Sequence, residues 1–336
     1  MPKLELYIPG LLAAPARLAV QLELPEVPAL REWQQRSRQH ASAPGRYGPL
    51  LEWLAVQHAP LAALAWYGAT GERHADNSIF LATLVHFEAG MNDLVLFSGG
   101  GLEVSNEERE RMARDLVDFF GDAPAFDFRQ GQLFMRTPQP LVVQTVGLHD
   151  AQGKAVRGNL PRGRDSSVLH AWMNELQMFL HGHAINRERT QRRVPTLNGI
   201  WVHGEGALPL ETRIQGAVVF AESLPMQGLG HLSGGAQMRG TVSDWLPARG
   251  HHVVEYADCI HALDADDAGA WQAGVARIDQ ECLQPLIEWL GRNSDAEAVL
   301  HAGDGRTRTL RGGRDGIAKR VFRRFANRES LRVIEE

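Results

Sequence analysis

Glu175-Leu-Gln-Met-Phe-Leu-His181-Gly-His183-Ala-Ile-Asn186-Arg-Glu-Arg189, followed by Pro195-Thr-Leu-Asn198-Gly-Ile-Trp-Val-His203-Gly204-Glu-Gly206, is the stretch that decides the fold. Just upstream, Leu169, Trp172, Met173, Leu176, Phe179 and Leu180 recur at helical spacing and define one apolar face, with Asp165 or Ser166 placed to cap the helix. Positions three or four apart share a side of a helix, so His183 and Asn186 extend that face, while Arg189 points away unless the helix ends first. Two meanings stay open from the residues alone. One is a polar helix terminus whose His and Arg complement the last carbonyls, an effect of about 1 kcal/mol or less. The other is a set of neutral and charged donors suited to a phosphorylated or carboxylate-bearing ligand.

Downstream, the pattern from Gly199 is strand, Gly-rich turn, helix, repeated. Strands are expected at 200–203, 217–221, 253–256 and 298–301, with helices near 270–291 and 317–325, which indicates a largely parallel, helix-covered sheet. At the other end, 4–8 alternates and stops at Pro9-Gly10, 28–39 reads as a helix opened by Pro28, and 61–67 reads as a strand. Between them, 79–86 and 94–98 form an expected hairpin about Gly90, Asn92 and Asp93. Ser105-Asn-Glu-Glu108 is a capping box that starts a helix running to Gly121, and short strands are expected at 125–128, 133–136 and 141–146. The expected organisation is an α/β core from 1–67 and 195–336, with a small α+β insertion at 68–194 that ends in the long helix.

With 336 residues, 44% hydrophobic and 22% charged, the chain can bury a large core without staples. Cys259 and Cys282 have no Cys-x-x-Cys spacing, so reduced, buried thiols are expected rather than a disulfide or zinc site. Glu5 and Pro9-Gly10 interrupt the first apolar run, which reads as mature protein rather than a signal peptide. Residues 53–71 lack charge, yet Gln57, His58 and Pro60 lie inside them, against a membrane span. A cytoplasmic protein is expected, with neither membrane nor nucleic acid as partner at a net charge of -5. Basic residues concentrate at 154–193 and again at 306–328, where nine Lys or Arg face one acid, Asp315. Solvated faces or anion binding both account for such runs. There is no P-loop, no Rossmann fingerprint and no Gly-x-Ser-x-Gly elbow.

The 183–206 stretch resembles the archaeal-type, 2,3-bisphosphoglycerate-independent phosphoglycerate mutases and their bacterial relatives. In that family a helix ends in His-Pro-Val-Asn-x-x-Arg, a Pro-Ala-Asn stretch follows, and a strand ends in Gly-x-Gly. His183, Asn186, Arg189, Pro195, Asn198, Gly204 and Gly206 match in spacing. The resemblance continues more weakly through 216–235 and 264–290 and is faint before Lys154. It implies an alkaline-phosphatase-like α/β fold with an inserted domain. It also implies a ligand-binding role for His183, Asn186 and Asn198, with Arg187, Arg189, Arg192 and His203 beside them. His203 stands where the family usually has Arg.

The resemblance further implies two divalent metals, held by Asp and His at strand ends, that activate a Ser for phosphoryl transfer. All three ligand motifs depart from the family pattern here. Pro9-Gly10 stands for Asp-Gly, Asp266-Asp-Ala-Gly269-Ala270 for Asp-x-x-Gly-His, and Ala302-Gly303-Asp304-Gly305-Arg306 for Thr-Gly-Asp-His-Ser. Asp266 and Asp304 are remnants and by themselves make a weak hard-cation site. Arg306 is expected to supply the positive charge in place of the metal. Ser37 and Ser42 occupy the right region without the family's surroundings, so no catalytic residue is assigned. The expectation is a non-catalytic or regulatory phosphoglycerate-mutase-like protein without a metal cofactor, with a residual phosphate or anion cleft for a small phosphorylated or anionic ligand. The alternative is an active mutase or phosphatase with rearranged ligands for Mn, Zn or Mg. Pro9, Asp266, Ala270, Asp304 and Gly305 are expected at one edge of the main sheet.

Overall fold

Leu4, Leu6 and Ile8 alternate with Glu5 and Tyr7, which gives the first strand one apolar and one polar face. The computed structural model describes residues 1–13, 25–74, 76, 78–91 and 93–313. The helix expected at 317–325 and most of the basic run at 306–328 lie outside them. In chain order the strands are β1 (Lys3–Tyr7), β2 (Arg38–Pro44), β3 (Ile79–Ala89), β4 (Leu94–Phe97), β5 (Ala125–Arg129) and β6 (Gln132–Arg136). They continue with β7 (Gly199–His203), β8 (Val218–Phe220), β9 (Gly235–Gln237), β10 (His251–Glu255), β11 (Glu297–His301) and β12 (Asp304–Arg311).

The first unit comprises Met1–Gln57 and Glu211–Glu336. Its sheet runs β2-β12-β11-β1-β10-β8-β9. Strands β11, β1, β10, β8 and β9 are parallel to their neighbours, and β12 and β2 add an antiparallel edge. On the apolar face, Leu4, Leu6, Ile8, Val254 and Leu300 pack with Trp33, Trp271, Ile278 and Leu286 from the covering helices. Each such side chain, fully buried, stabilises the fold by about 1.5–3 kcal/mol. Cys259 and Cys282 are free and buried here, as expected, and burial pushes both thiols up to about 12.

The helix Pro28–Arg36 begins at Val27, which has no side chain able to cap it. Asp279, distant in sequence, does this instead by accepting from Leu30 N at 2.6 Å and Ala29 N at 3.3 Å. Burial raises the Asp279 pKa, and these two N–H groups partly restore its charge.

The second unit, His58–Leu210, is built on an antiparallel sheet ordered β4-β3-β6-β5, with β7 pairing β3. The helices Leu61–Thr70 and Ser166–His181 pack on β3 and β7, and Asn106–Phe120 packs on β5. Its start shows both halves of the capping box, Ser105 with Glu108.

Several expectations change. Residues 61–67 are helix, not strand: Leu61–Thr70 is apolar on nearly every side, so neither period shows in the sequence. The strand expected at 200–203 is β7, but it lies antiparallel on β3 rather than in the parallel sheet. The unit boundaries therefore fall at 57/58 and 210/211 instead of 67/68 and 194/195. Residues 141–146 make only an isolated bridge, Gln144 to Arg162. The helix predicted at 28–39 stops at Arg36, and β2 follows it directly. Among the described residues no helix is long and apolar enough to cross a membrane.

Replacing Asp279 with Ala leaves two helix N–H groups unsatisfied and should cost roughly 1–3 kcal/mol in urea unfolding, while Asp279→Asn, which keeps an acceptor, should cost less. Equal losses for the two variants would contradict the capping role.

Candidate functional site

In open α/β sheets ligands bind beyond the carboxyl ends of the parallel strands. In the first unit those ends are laced together. Ile8 N donates to His301 O at 2.9 Å, Gly10 N to Ala302 O at 3.1 Å, Tyr256 N to Tyr7 O at 2.9 Å, and Trp271 Nε1 to Gly10 O at 2.9 Å. Pro9 is buried, and Gly10 (φ 81°) lies so close to the helix Asp258–Asp264 that a Cβ would sit 2.7 Å from Leu263 Cδ1. The positions taken by Asp-Gly in the resembled motif are thus filled by packed residues with no side-chain ligand atom.

Three carboxylates at this edge, Asp304, Asp264 and Asp258, are paired with arginines. Arg308 donates to both oxygens of Asp304, at 3.0 and 2.5 Å, and the two side chains are only 5% and 10% exposed. Gly303 (φ 81°) and Gly305 (φ 74°) flank Asp304, and the β12–β2 register shifts between Asp304 and Arg306. The extra residue of that irregularity lies in β2, and Asp304 and Arg308, four apart on β12, share one face of the strand. The expected partner, Arg306, points instead to Gln39 Oε1 at 3.2 Å and is exposed. Arg46 grips Asp264 with both terminal nitrogens. Arg239 bonds Glu222 at 2.9 Å and Asp258 at 3.5 Å, and lies 4.1 Å over the Tyr256 ring. Arg277 also binds Asp258. Asp266 is exposed in a left-handed conformation (φ 49°), and Ala270 N is taken by Asp267 Oδ1 at 2.9 Å as a helix cap.

Two further acids escape a sequence reading. Glu255, at the end of β10, accepts from Ser223 Oγ at 2.7 Å and Ser223 N at 3.0 Å, at the start of the helix Leu224–Ser233. Burial pushes its pKa up, and the two Ser223 donors bring it part of the way back. Glu5, on the polar face of β1, contacts His301 Nε2 at 2.7 Å, Lys3 Nζ at 2.7 Å, His251 Nε2 at 2.9 Å and Trp53 Nε1 at 2.9 Å. The His251 contact is short but poorly aligned for a hydrogen bond. Burial opposes the Glu5 charge, but contacts with His251, His301 and Lys3 outweigh it and hold the carboxyl well below its usual range.

The residues expected to bind a ligand all lie in the second unit, where they hold backbone together. The long helix stops at His181, and His183 starts a new one, Ala184–Arg192. Its Nδ1 accepts from Ile185 N at 3.2 Å, which leaves Nε2 to donate to Asp115 at 3.0 Å. Asn186 donates to Leu180 O and Leu197 O, both at 2.8 Å, and accepts from Leu197 N at 2.7 Å. Arg189, 0% exposed, donates to Pro195 O at 2.7 Å, Glu108 at 2.8 Å and Leu102 O. Asn198 pairs with Phe87 N at 2.6 Å and Phe87 O at 2.9 Å, like one more strand residue. Arg192 binds Glu108, and Arg187 donates to Gly182 O at 2.6 Å. The shallow groove of about 370 Å³ beside Arg192 is lined by Glu107, Glu108 and Glu188 against Arg111 and Arg192, a poor place for an anion. His203 is buried, neither ring nitrogen has a partner, and burial lowers its pKa to about 4. Asn186, Arg189 and Asn198 thus direct their polar atoms to main chain and Glu108.

Among the described residues, no group of three or more His, Cys, Asp or Glu is placed to hold a metal ion. The two remnant acids fit a divalent ion poorly. Asp304 has both oxygens occupied, Asp266 projects from an exposed turn, and Gly305, where the resembled motif has His, adopts a backbone conformation that L side chains rarely take.

Removing Asn186 as Asn186→Ala orphans buried Leu180 and Leu197 groups, and an unfolding cost of roughly 2–4 kcal/mol is expected. A ligand-only role would leave stability unchanged. For His203, the unfolded ring takes a proton below its usual value near ~6.5 while the folded ring refuses it until about 4. Stability should therefore fall by roughly 3 kcal/mol as pH drops through that window, and His203→Leu should lose this part of the acid slope. An unchanged slope would show that His203 is not buried neutral.

Three comparisons bear on this geometry. No protein-family model matches the chain. It is 28% identical over 179 residues to a 2,3-bisphosphoglycerate-independent phosphoglycerate mutase from Methanothrix thermoacetophila, covering 45% of this chain and 44% of that one. It is 30% identical over 175 residues to the enzyme of the same description from Methanosarcina mazei, covering 48% and 42%. The matched stretch thus spans less than half the length of these curated relatives. Among solved structures, the PH0037 protein from Pyrococcus horikoshii aligns with a TM-score of 0.56 at 14% identity, over 93% of this chain and 87% of that one. A cofactor-independent phosphoglycerate mutase from Thermoplasma acidophilum aligns with a TM-score of 0.46 at 16% identity, over 94% and 91%. The PH0037 likeness is one of fold alone.

Proposed function

We propose that this chain, a relative of the archaeal-type 2,3-bisphosphoglycerate-independent phosphoglycerate mutases, acts by binding or regulation rather than by two-metal phosphoryl transfer. The observation that carries the proposal is Asp304, the clearest surviving ligand position, with both oxygens taken by Arg308. Buried Pro9, Ala270 as a helix-cap position and left-handed Gly305 support the same reading at the other expected ligand positions. A metal ion needs several converging oxygen or nitrogen ligands, and this set does not supply them.

A small phosphorylated or anionic ligand is the partner class the resemblance implies. At the carboxyl edge it would meet guanidinium groups that already hold carboxylates, so binding has to displace one of those pairs or use backbone N–H groups. That arrangement favours a weak, salt-sensitive anion site over a preformed phosphate cradle.

Purified protein should therefore show no mutase activity on phosphoglycerate and no phosphatase activity with added manganese, zinc or magnesium, and metal analysis should find less than one ion per chain. Turnover abolished by a chelator and restored by manganese would overturn the proposal in favour of an active phosphoryl-transfer enzyme.

A further inference from the structure

We propose that guanidinium groups of the chain itself supply, at the carboxyl edge of the first unit, the positive charge that a divalent ion supplies in a two-metal site, with Arg308 as the built-in counter-ion of Asp304. The inference concerns the electrostatics of the edge and does not depend on whether the protein turns over a substrate.

Asp304 begins β12 immediately after the β11 end, and its side chain is nearly inaccessible. A carboxylate removed from water needs a cation, several hydrogen-bond donors or a proton. Arg308 meets the need with a planar fork that fills both oxygens, a match that a Lys ammonium cannot make. The fork is held in place from behind: Arg308 sits opposite Leu300 in the β11–β12 pairing, and its carbonyl accepts from Trp33 Nε1 at 3.3 Å. A divalent ion at Asp304 would have to displace this cation at bonding distance. The same solution recurs along the edge, where Arg46 closes Asp264, and Arg239 with Arg277 closes Asp258. Four arginines thus neutralise carboxylates at the edge where the resembled enzymes carry their metals.

The test is a charge cycle read by thermal unfolding of the whole protein at pH 7.5. Arg308→Met should lower the melting temperature by roughly 5 °C or more, because it strands a buried carboxylate. The double variant D304N/R308M should recover at least half of that loss, because no charge is left to strand. Millimolar manganese, zinc or magnesium, compared with a chelator at matched ionic strength, should move the wild-type melting temperature by less than about 1 °C. A double variant no more stable than Arg308→Met, or one that fails to fold, would overturn the inference by showing that Arg308 acts through packing. A wild-type melting temperature raised by the metals and lowered by the chelator would overturn it too. Chelator-sensitive turnover with the cycle behaving as expected would sink only the functional proposal.

Discussion

A carboxylate buried at a sheet edge must receive a counter-charge or several hydrogen-bond donors, or take up a proton. At the end of β11 that requirement falls on Asp304, and the chain meets it from within through Arg308. Gly303 and Gly305, on either side of Asp304, both have positive φ, and Asp304 and Arg308 stand on the same face of β12, four residues apart. With both Asp304 oxygens held by a guanidinium, a divalent ion would have to displace Arg308 to bond there.

Other buried acids follow the same rule with different partners. Glu108 is a helix-capping residue that also receives the wholly buried Arg189. Burial opposes its charge, yet the Ser105 N–H, Arg189 and Arg192 together lower its pKa. Asp279 and Glu255 have no guanidinium in contact among the described residues and are held by N–H and hydroxyl donors at helix starts; burial raises the pKa of both. Where arginine is the partner, removing it leaves a stranded charge and costs about 3–5 kcal/mol for a buried pair. Where helix N–H groups are the partners, the acid can take up a proton more readily.

How much of this could be read from the sequence depends on whether the controlling contacts are local. β1, the Ser105 capping box and the β3–β4 hairpin follow from alternation and turn residues alone. The helix Leu61–Thr70 does not, because a segment buried nearly all round shows neither the helical nor the strand period. β7 has ordinary strand character, and only its pairing with β3 assigns it to the second unit. The spacing of His183, Asn186, Arg189 and Asn198 correctly pointed to the relatives, yet in this chain those side chains hold main chain together. A conserved-looking polar pattern carries packing information as readily as ligand information. The Asp304–Arg308 pair was hidden because Arg306 is the nearer basic neighbour in sequence, yet it turns to Gln39.

The account rests on the claim that the acids at the carboxyl edge are closed to divalent ions. Crystals grown with millimolar manganese, with anomalous diffraction recorded on both sides of the manganese absorption edge, test it most directly. The account predicts no manganese peak bonded to Asp304 or Asp266 and the Arg308 fork in place on Asp304. A manganese peak at Asp304 with Arg308 swung away would contradict it.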